Sequence, residues 1–399
     1  MSRQQQYEPA FRSWTAGEFE SAAALFSEII TEQPENAQVY CLRGEVRLQQ
    51  GNFGAALADF SHALELDTEF ARAYSNRGAV LIQCDDYEGA LANLNRCIAL
   101  DPNYAPAYYY RGKVYTRQRQ FEAALEDFEA VVRLDPWIPY TYLERGILYA
   151  SRGDYIAALG DFSEVLDLDR GNALAYHERG NALSMLGDMQ GALADLDQAL
   201  RLDPNAAAAY ASRGLLYFRK RDYPAALADL DQAIAHDASY VPALNYRGSV
   251  YAELKQFIAA LDDHNLAIRL APRSPEAYGA RAHTRYLMGE LDTALADCNV
   301  ATSLDPDNFT AYVVRGYIQQ QRGDYDSAIA DFSAAIRLKP DEHSTYHYRG
   351  HAYEGQGDHA AAQIDFRRFV QLGGERWRIT ATRWLKRLRR LLLSPLARR

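Results

Sequence analysis

Cysteine is scarce in this chain. Four residues in 399, Cys41, Cys84, Cys97 and Cys298, show none of the paired spacings that a disulfide framework or a zinc ribbon needs. That usage suits a reducing compartment. No apolar run approaches the roughly 18–20 residues of a membrane-spanning helix. The opening stretch, Met1 to Phe11, carries no apolar signal segment. A soluble, cytoplasmic protein is therefore the expectation. Motifs of chemistry are also missing: no phosphate loop, nucleophile elbow or paired-carboxylate motif stands out, and His-Glu-x-x-His is absent. No catalytic residue, cofactor or metal is expected, and an enzyme is the least favoured class.

What the chain has in quantity is repetition. An arginine returns every 34 residues, at Arg43, Arg77, Arg111, Arg145, Arg179, Arg213, Arg247, Arg281, Arg315 and Arg349. Glycine follows it each time except at Ala282. No insertion breaks the count, and 48% hydrophobic content supplies apolar faces throughout. A uniform period of 34 predicts paired helices stacked into a solenoid, in which each repeat touches only its neighbours and length grows without a growing central core.

Repeats can be numbered 1 to 34 from Arg3, Ala37, Ala71, Ala105, Pro139, Ala173, Ala207, Val241, Pro275, Phe309 and His343. Position 4 is Tyr in repeats 2–11 except at Leu244, position 20 is Ala in all eleven, and position 32 is Pro in seven, Pro102 and Pro136 among them. On these residues the chain resembles the tetratricopeptide repeat family over 3–374. The resemblance implies an all-α, right-handed superhelix of eleven helix pairs acting as a non-catalytic scaffold. It also implies that the first helix of each repeat lines a concave groove holding a protein or peptide partner. The family is a scaffold, so the resemblance names no particular partner.

Within a repeat, positions 1–14 read as helix A and 16–30 as helix B. Tyr74, Gly78 and Leu81 share one face of the first, and Tyr87, Ala90, Leu91, Leu94 and Ile98 one face of the second. Gly at 8 and Ala at 20 remove bulk where the helices cross. Asp59 and its equivalents at position 23 (Asn93 in repeat 3) co-occur with the Arg at 7, and repeat 1, with Pro9 and Leu25, lacks both. An ion-pair ladder follows, within one repeat or to the preceding one.

The net charge of −10 conceals an asymmetry. Residues 375–399 hold nine Arg or Lys and one Glu, leaving that segment at +8 and the remainder at −18. The acidic remainder disfavours nucleic acid. Trp377, Ala381, Trp384, Leu388 and Leu391 form the apolar stripe of a capping helix, whose other face, with Arg383, Lys386, Arg387 and Arg390, suits an anionic membrane surface or an acidic partner. That peripheral docking is the alternative function.

Groove-lining positions on helix A are 2, 5, 6, 9, 12 and 13. Repeats 3 and 4 place Arg72, Asn76, Tyr109, Tyr110, Lys113 and Arg117 there, a basic and aromatic patch in an acidic body that suits a carboxylate or an acidic peptide. The family's clamp for C-terminal carboxylates is absent in register, since repeat 2 has Cys41 and Glu45 at positions 5 and 9. His343, His347 and His351 lie four apart on one helix without a third-ligand motif and read as polar groove residues. His264 and Cys298, at position 24 of adjacent repeats, read as packing residues rather than a base and a nucleophile.

Overall fold

A computed structural model describes residues 3–373. The tail helix expected over 375–399, with Arg383, Lys386, Arg387 and Arg390, lies outside the described residues. Among these there are twenty-two α-helices and no strand, two helices to each repeat. They fall into two compact bodies divided after Leu202, repeats 1–6 in one and 7–11 in the other. No described helix is long and apolar enough to cross a membrane.

Helix A occupies positions 1–13 in most repeats, as in Ala71–Gln83, and helix B positions 17–30, as in Tyr87–Leu100. Position 16 is therefore a cap, not the first helical residue expected from the sequence. Asn52, Asp86, Asp154, Asp222, Asp324 and Asp358 sit there, and each side chain accepts the amide proton three residues on. This satisfies one of the donors that a helix start leaves open. Position 15 carries the turn. It has positive φ in all eleven repeats, seven times as glycine and four times as Asp85, Arg119, Arg221 and Lys255. A left-handed residue here ends helix A and swings the chain back, and glycine does so at least steric cost.

The crossing of A and B explains the invariant small residues. Position 24 holds a large apolar side chain, Phe60, Leu94, Phe128 or Phe162, with almost no exposure. It lies directly against the glycine at position 8. A Cβ on Gly112 would come within 2.9 Å of Phe128, and one on Gly146 within 2.7 Å of Phe162. Each such buried ring or Leu contributes about 1.5–3 kcal/mol. Repeat 9, where Ala282 replaces the glycine, carries Cys298 at position 24, and both are fully buried in one cluster. A smaller partner makes room for the extra methyl. His264 fills the same slot beneath Gly248, so Cys298 and His264 both pack between helices.

Neighbouring repeats share these cores. Cys97, at position 27 of repeat 3, clusters with Ala107 and Val114 of repeat 4, and Ala233 with Ala243 and Val250 in the same way. Such nearest-neighbour burial holds a solenoid together.

The arginine ladder is present and binds on two sides. In the repeat's own helix B, Arg111 Nε and Nη2 donate to the two oxygens of Asp127 at 2.9 and 2.7 Å. The same bidentate pairing joins Arg145 to Asp161, Arg247 to Asp263, Arg315 to Asp331 and Arg349 to Asp365. The remaining nitrogen, Nη1, reaches back to position 25 of the preceding repeat. It donates to Ser27 from Arg43, Asn95 from Arg111, Asp231 from Arg247, Asn265 from Arg281 and Ser333 from Arg349. The sequence left the Asp at 23 of the same or of the preceding repeat as alternatives; the arginine pairs with the Asp of its own repeat, and its contact to the preceding repeat is with position 25 instead. Position 4 completes the unit: Arg111 lies 5.5 Å from the Tyr108 ring, whose hydroxyl donates to the Pro102 carbonyl. Arg, Tyr and the inter-repeat linker thus form one assembly.

Candidate protein-binding face

Consecutive A helices also touch, Ala71–Gln83 against Ala105–Arg117 in the first body and Pro275–Met288 against Phe309–Gln321 in the second. In the first body five of the six sequence-predicted residues gather along this face in two clusters. In one, Arg72 and Asn76 converge on Glu45 of the preceding repeat. Arg72 donates from Nε and Nη2 at 2.7 and 2.6 Å, and Asn76 from Nδ2 at 2.6 Å. The Glu45 side chain is only 13% exposed, while that of Arg72 is 48% exposed, so water screens the pair from the arginine side. Cys41 lies beside it, 3.6 Å from Asn76. Burial, reinforced by the Glu45 charge, pushes the Cys41 thiol up to about 12, so it stays protonated and inert at neutral pH.

In the other cluster Lys113 pairs with Glu144 of repeat 5 at 3.1 Å and lies 5.4 Å from the Tyr109 ring. Tyr109 donates weakly to Glu144 at 3.5 Å. Its ring meets Tyr110 at 5.4 Å and Tyr140 at 4.7 Å, both edge-on. Burial raises the phenol pKa of Tyr109 and Tyr110 above the ordinary range, so both remain hydrogen-bond donors. For Tyr110, the neighbouring Tyr140 and then the Glu45 charge add to the effect of burial. Arg117 stands apart from both, reaching the Tyr87 hydroxyl on helix B of repeat 3 at 3.5 Å.

The basic patch anticipated from sequence therefore comes with its own carboxylates, Glu45 and Glu144, which sequence reasoning did not assign to it. Tyr140 was missed as well, although it occupies position 2 of repeat 5 and could have been read by register. Beside the first cluster an open concavity of about 1060 Å³ is lined by Glu32, Glu35, Asn36, Cys41, Asp67 and Arg72, among others. The arrangement offers aromatic surface and hydrogen-bonding groups.

Stacked helix pairs with a varied A-helix face and a uniform packing frame define a repeat solenoid, a class that serves generally as a non-catalytic scaffold for protein–protein interaction. Family models described as TPR repeat match residues 44–84, 78–119, 185–221 and 316–357, and models described as tetratricopeptide repeat match 105–137 and 211–275. Together they span more than half of the sequence, and the chain belongs to the tetratricopeptide repeat family. Among solved structures, a tetratricopeptide repeat protein from Parabacteroides merdae is similar, with a TM-score of 0.52 and 22% identity over 62% of this chain and 98% of its own. The structure titled APC/C hetero-tetramer Cut9–Hcn1 is similar with a TM-score of 0.50 and 13% identity over 97% of this chain and 96% of its own. Both likenesses show the fold alone. No curated protein matches the chain.

Proposed function

We propose that the A-helix face of repeats 2–5 holds an extended segment of a partner protein. Tyr109, Tyr110 and Tyr140 serve as its anchors, with Arg72, Asn76, Lys113 and Arg117 at its edges. The observation carrying this is the tyrosine cluster itself, set between two internally neutralised charge pairs. Because Glu45 and Glu144 already engage Arg72 and Lys113, a lone carboxylate would have to displace a well-placed anion. A guest with an aromatic or aliphatic side chain flanked by hydrogen-bonding groups fits better, since tyrosines give large contact area at small entropic cost. A peptide library displayed on phage and selected on the intact protein tests this. Selected peptides should share an apolar anchor and lose at least tenfold in affinity for Tyr110→Ala. Retained affinity in that variant, with unchanged helicity, would refute the placement.

A second reading rests on the +8 segment 375–399: docking to an anionic surface. Flotation with phosphatidylserine vesicles, against neutral phosphatidylcholine vesicles, should then depend on Arg383, Lys386, Arg387 and Arg390. Equal flotation after their replacement by Gln would dismiss it.

A further inference from the structure

Helix A of repeat 11, His343–Gln356, in the second body, carries the densest group of imidazoles in the chain. His347 and His351 occupy positions 5 and 9, one turn apart on the face that lines the family's groove. Their Nε2 atoms face each other across 3.2 Å. His351 Nδ1 lies 3.0 Å from Glu354 Oε2. A carboxylate only accepts, so this Nδ1 carries the proton and His351 Nε2 presents its lone pair toward His347. The rings are held from behind by phenyl groups: Phe366 lies 5.1 Å from His351, and Phe369 4.9 Å from His347. The rings stand edge to face, at 4.5 Å and 89°.

We propose that His347 and His351 form a binding site for one divalent transition-metal ion, with Glu354 fixing the tautomer of His351. Metal–nitrogen bonds of about 2.0–2.1 Å spanning the observed Nε2 separation subtend about 100°, close to a tetrahedral ligand angle. In the metal-free chain His347 Nε2–H donates to His351 Nε2; on metal binding His347 takes its Nδ1–H tautomer, so that both imidazoles stay neutral and both Nε2 lone pairs turn to the ion. The carboxylate behind one imidazole is the partner that metal-bound histidines regularly have. Among the described residues no group of three or more His, Cys, Asp or Glu converges as ligands, so water fills the other positions. Two neutral imidazoles select borderline ions, with copper bound more tightly than nickel or zinc, and magnesium rejected.

The test is calorimetric titration of the full chain, carrying no histidine tag, with the chlorides of Cu²⁺, Ni²⁺, Zn²⁺ and Mg²⁺. Copper should bind tightest, and magnesium should give no heat. His347→Ala and His351→Ala should each weaken nickel and zinc at least tenfold, and Glu354→Gln about tenfold. Alanine occupies the same positions in other repeats as Ala211 and Ala79, so the variants should fold, and circular dichroism verifies it. Equal affinity in the parent and the folded His347→Ala variant, or no binding by the parent up to millimolar metal, would overturn the proposal.

Discussion

Replacing Arg111 by Met should destabilise the fourth repeat far more than the same change at Arg77 destabilises the third. The two arginines stand at the same position and lie over the same kind of ring, Tyr108 and Tyr74, at 5.5 and 5.6 Å. They differ in the group they face. Arg111 bonds both oxygens of Asp127, whose side chain is 5% exposed, whereas Arg77 Nε bonds the amide oxygen of Asn93. The charge balance differs accordingly. Hydrogen bonding to Asp127 raises the Arg111 pKa, while burial without a facing carboxylate lowers that of Arg77. Met keeps most of the aliphatic stem but leaves Asp127 a buried anion with no cation. Breaking a buried pair costs roughly 3–5 kcal/mol, and a guanidinium 20% exposed reduces this to about 2–4 kcal/mol. Arg77→Met removes a neutral-partner bond and a ring contact, worth about 1 kcal/mol.

Burial already pushes the Asp127 carboxyl up, and Arg111 opposes that. In Arg111→Met the opposition disappears. The folded-state pKa then rises further above the unfolded value, and the penalty present at neutral pH is relieved as pH falls through it. Adding Asp127→Asn, which copies the third repeat, should restore much of the loss. Repeat arrays open locally, so hydrogen exchange of residues 105–134 is the suitable assay, supported by urea unfolding. Equal losses for Arg111→Met and Arg77→Met, or no rescue by Asp127→Asn, would refute the ladder as a source of stability.

Three other outcomes follow from the packing. His264 has no partner on either ring nitrogen, and burial, aided by the charges of Arg281 and His283, pushes its pKa down to about 3. His264→Leu should stabilise by about 1–3 kcal/mol at pH 7.5. Between pH 6.5 and 3 the unfolded chain binds a proton that the folded chain refuses, so the advantage should widen by about 1.4 kcal/mol per pH unit on acidification, and a constant gap in urea titrations at pH 7.5 and 5.5 would contradict this. Cys298→Phe should overpack against Ala282 by about 1–3 kcal/mol and be rescued by Ala282→Gly, which rebuilds the pairing of the other repeats; a thermal melt that shows no rescue would argue against the position 8–24 contact. Arg119 has φ of 59°, so Arg119→Gly should raise stability by about 0.5–1 kcal/mol, and a lower melting temperature would speak against strain at that turn.

The architecture was legible because one period of 34 writes the same apolar spacing eleven times, and the helix limits fell within a residue of those expected. The ladder was half legible. Asp recurs at 23 in nine of the ten repeats that carry the arginine, but the arginine's second partner varies among Ser27, Asn95, Asp231 and Asn265, residues united only by an acceptor oxygen, so identity matching passed over it. Position 15 escaped notice for a similar reason, since Gly51 and Lys255 share a backbone angle and not a side chain. The residues of the candidate face could be picked by register, whereas the carboxylates paired with them could not. Arg72 and Glu45 are 27 residues apart, and Lys113 and Glu144 are 31, separations that become contacts only once adjacent A helices lie side by side. Composition counts cations and cannot see that they are already matched.

The claim most exposed to test is that the A-helix face receives the partner. A photoreactive phenylalanine analogue placed at Tyr110 should crosslink a selected peptide in the intact protein, while the same analogue at Glu126, exposed on helix B of the same repeat, should not. Crosslinking at Glu126 with none at Tyr110 would contradict the account.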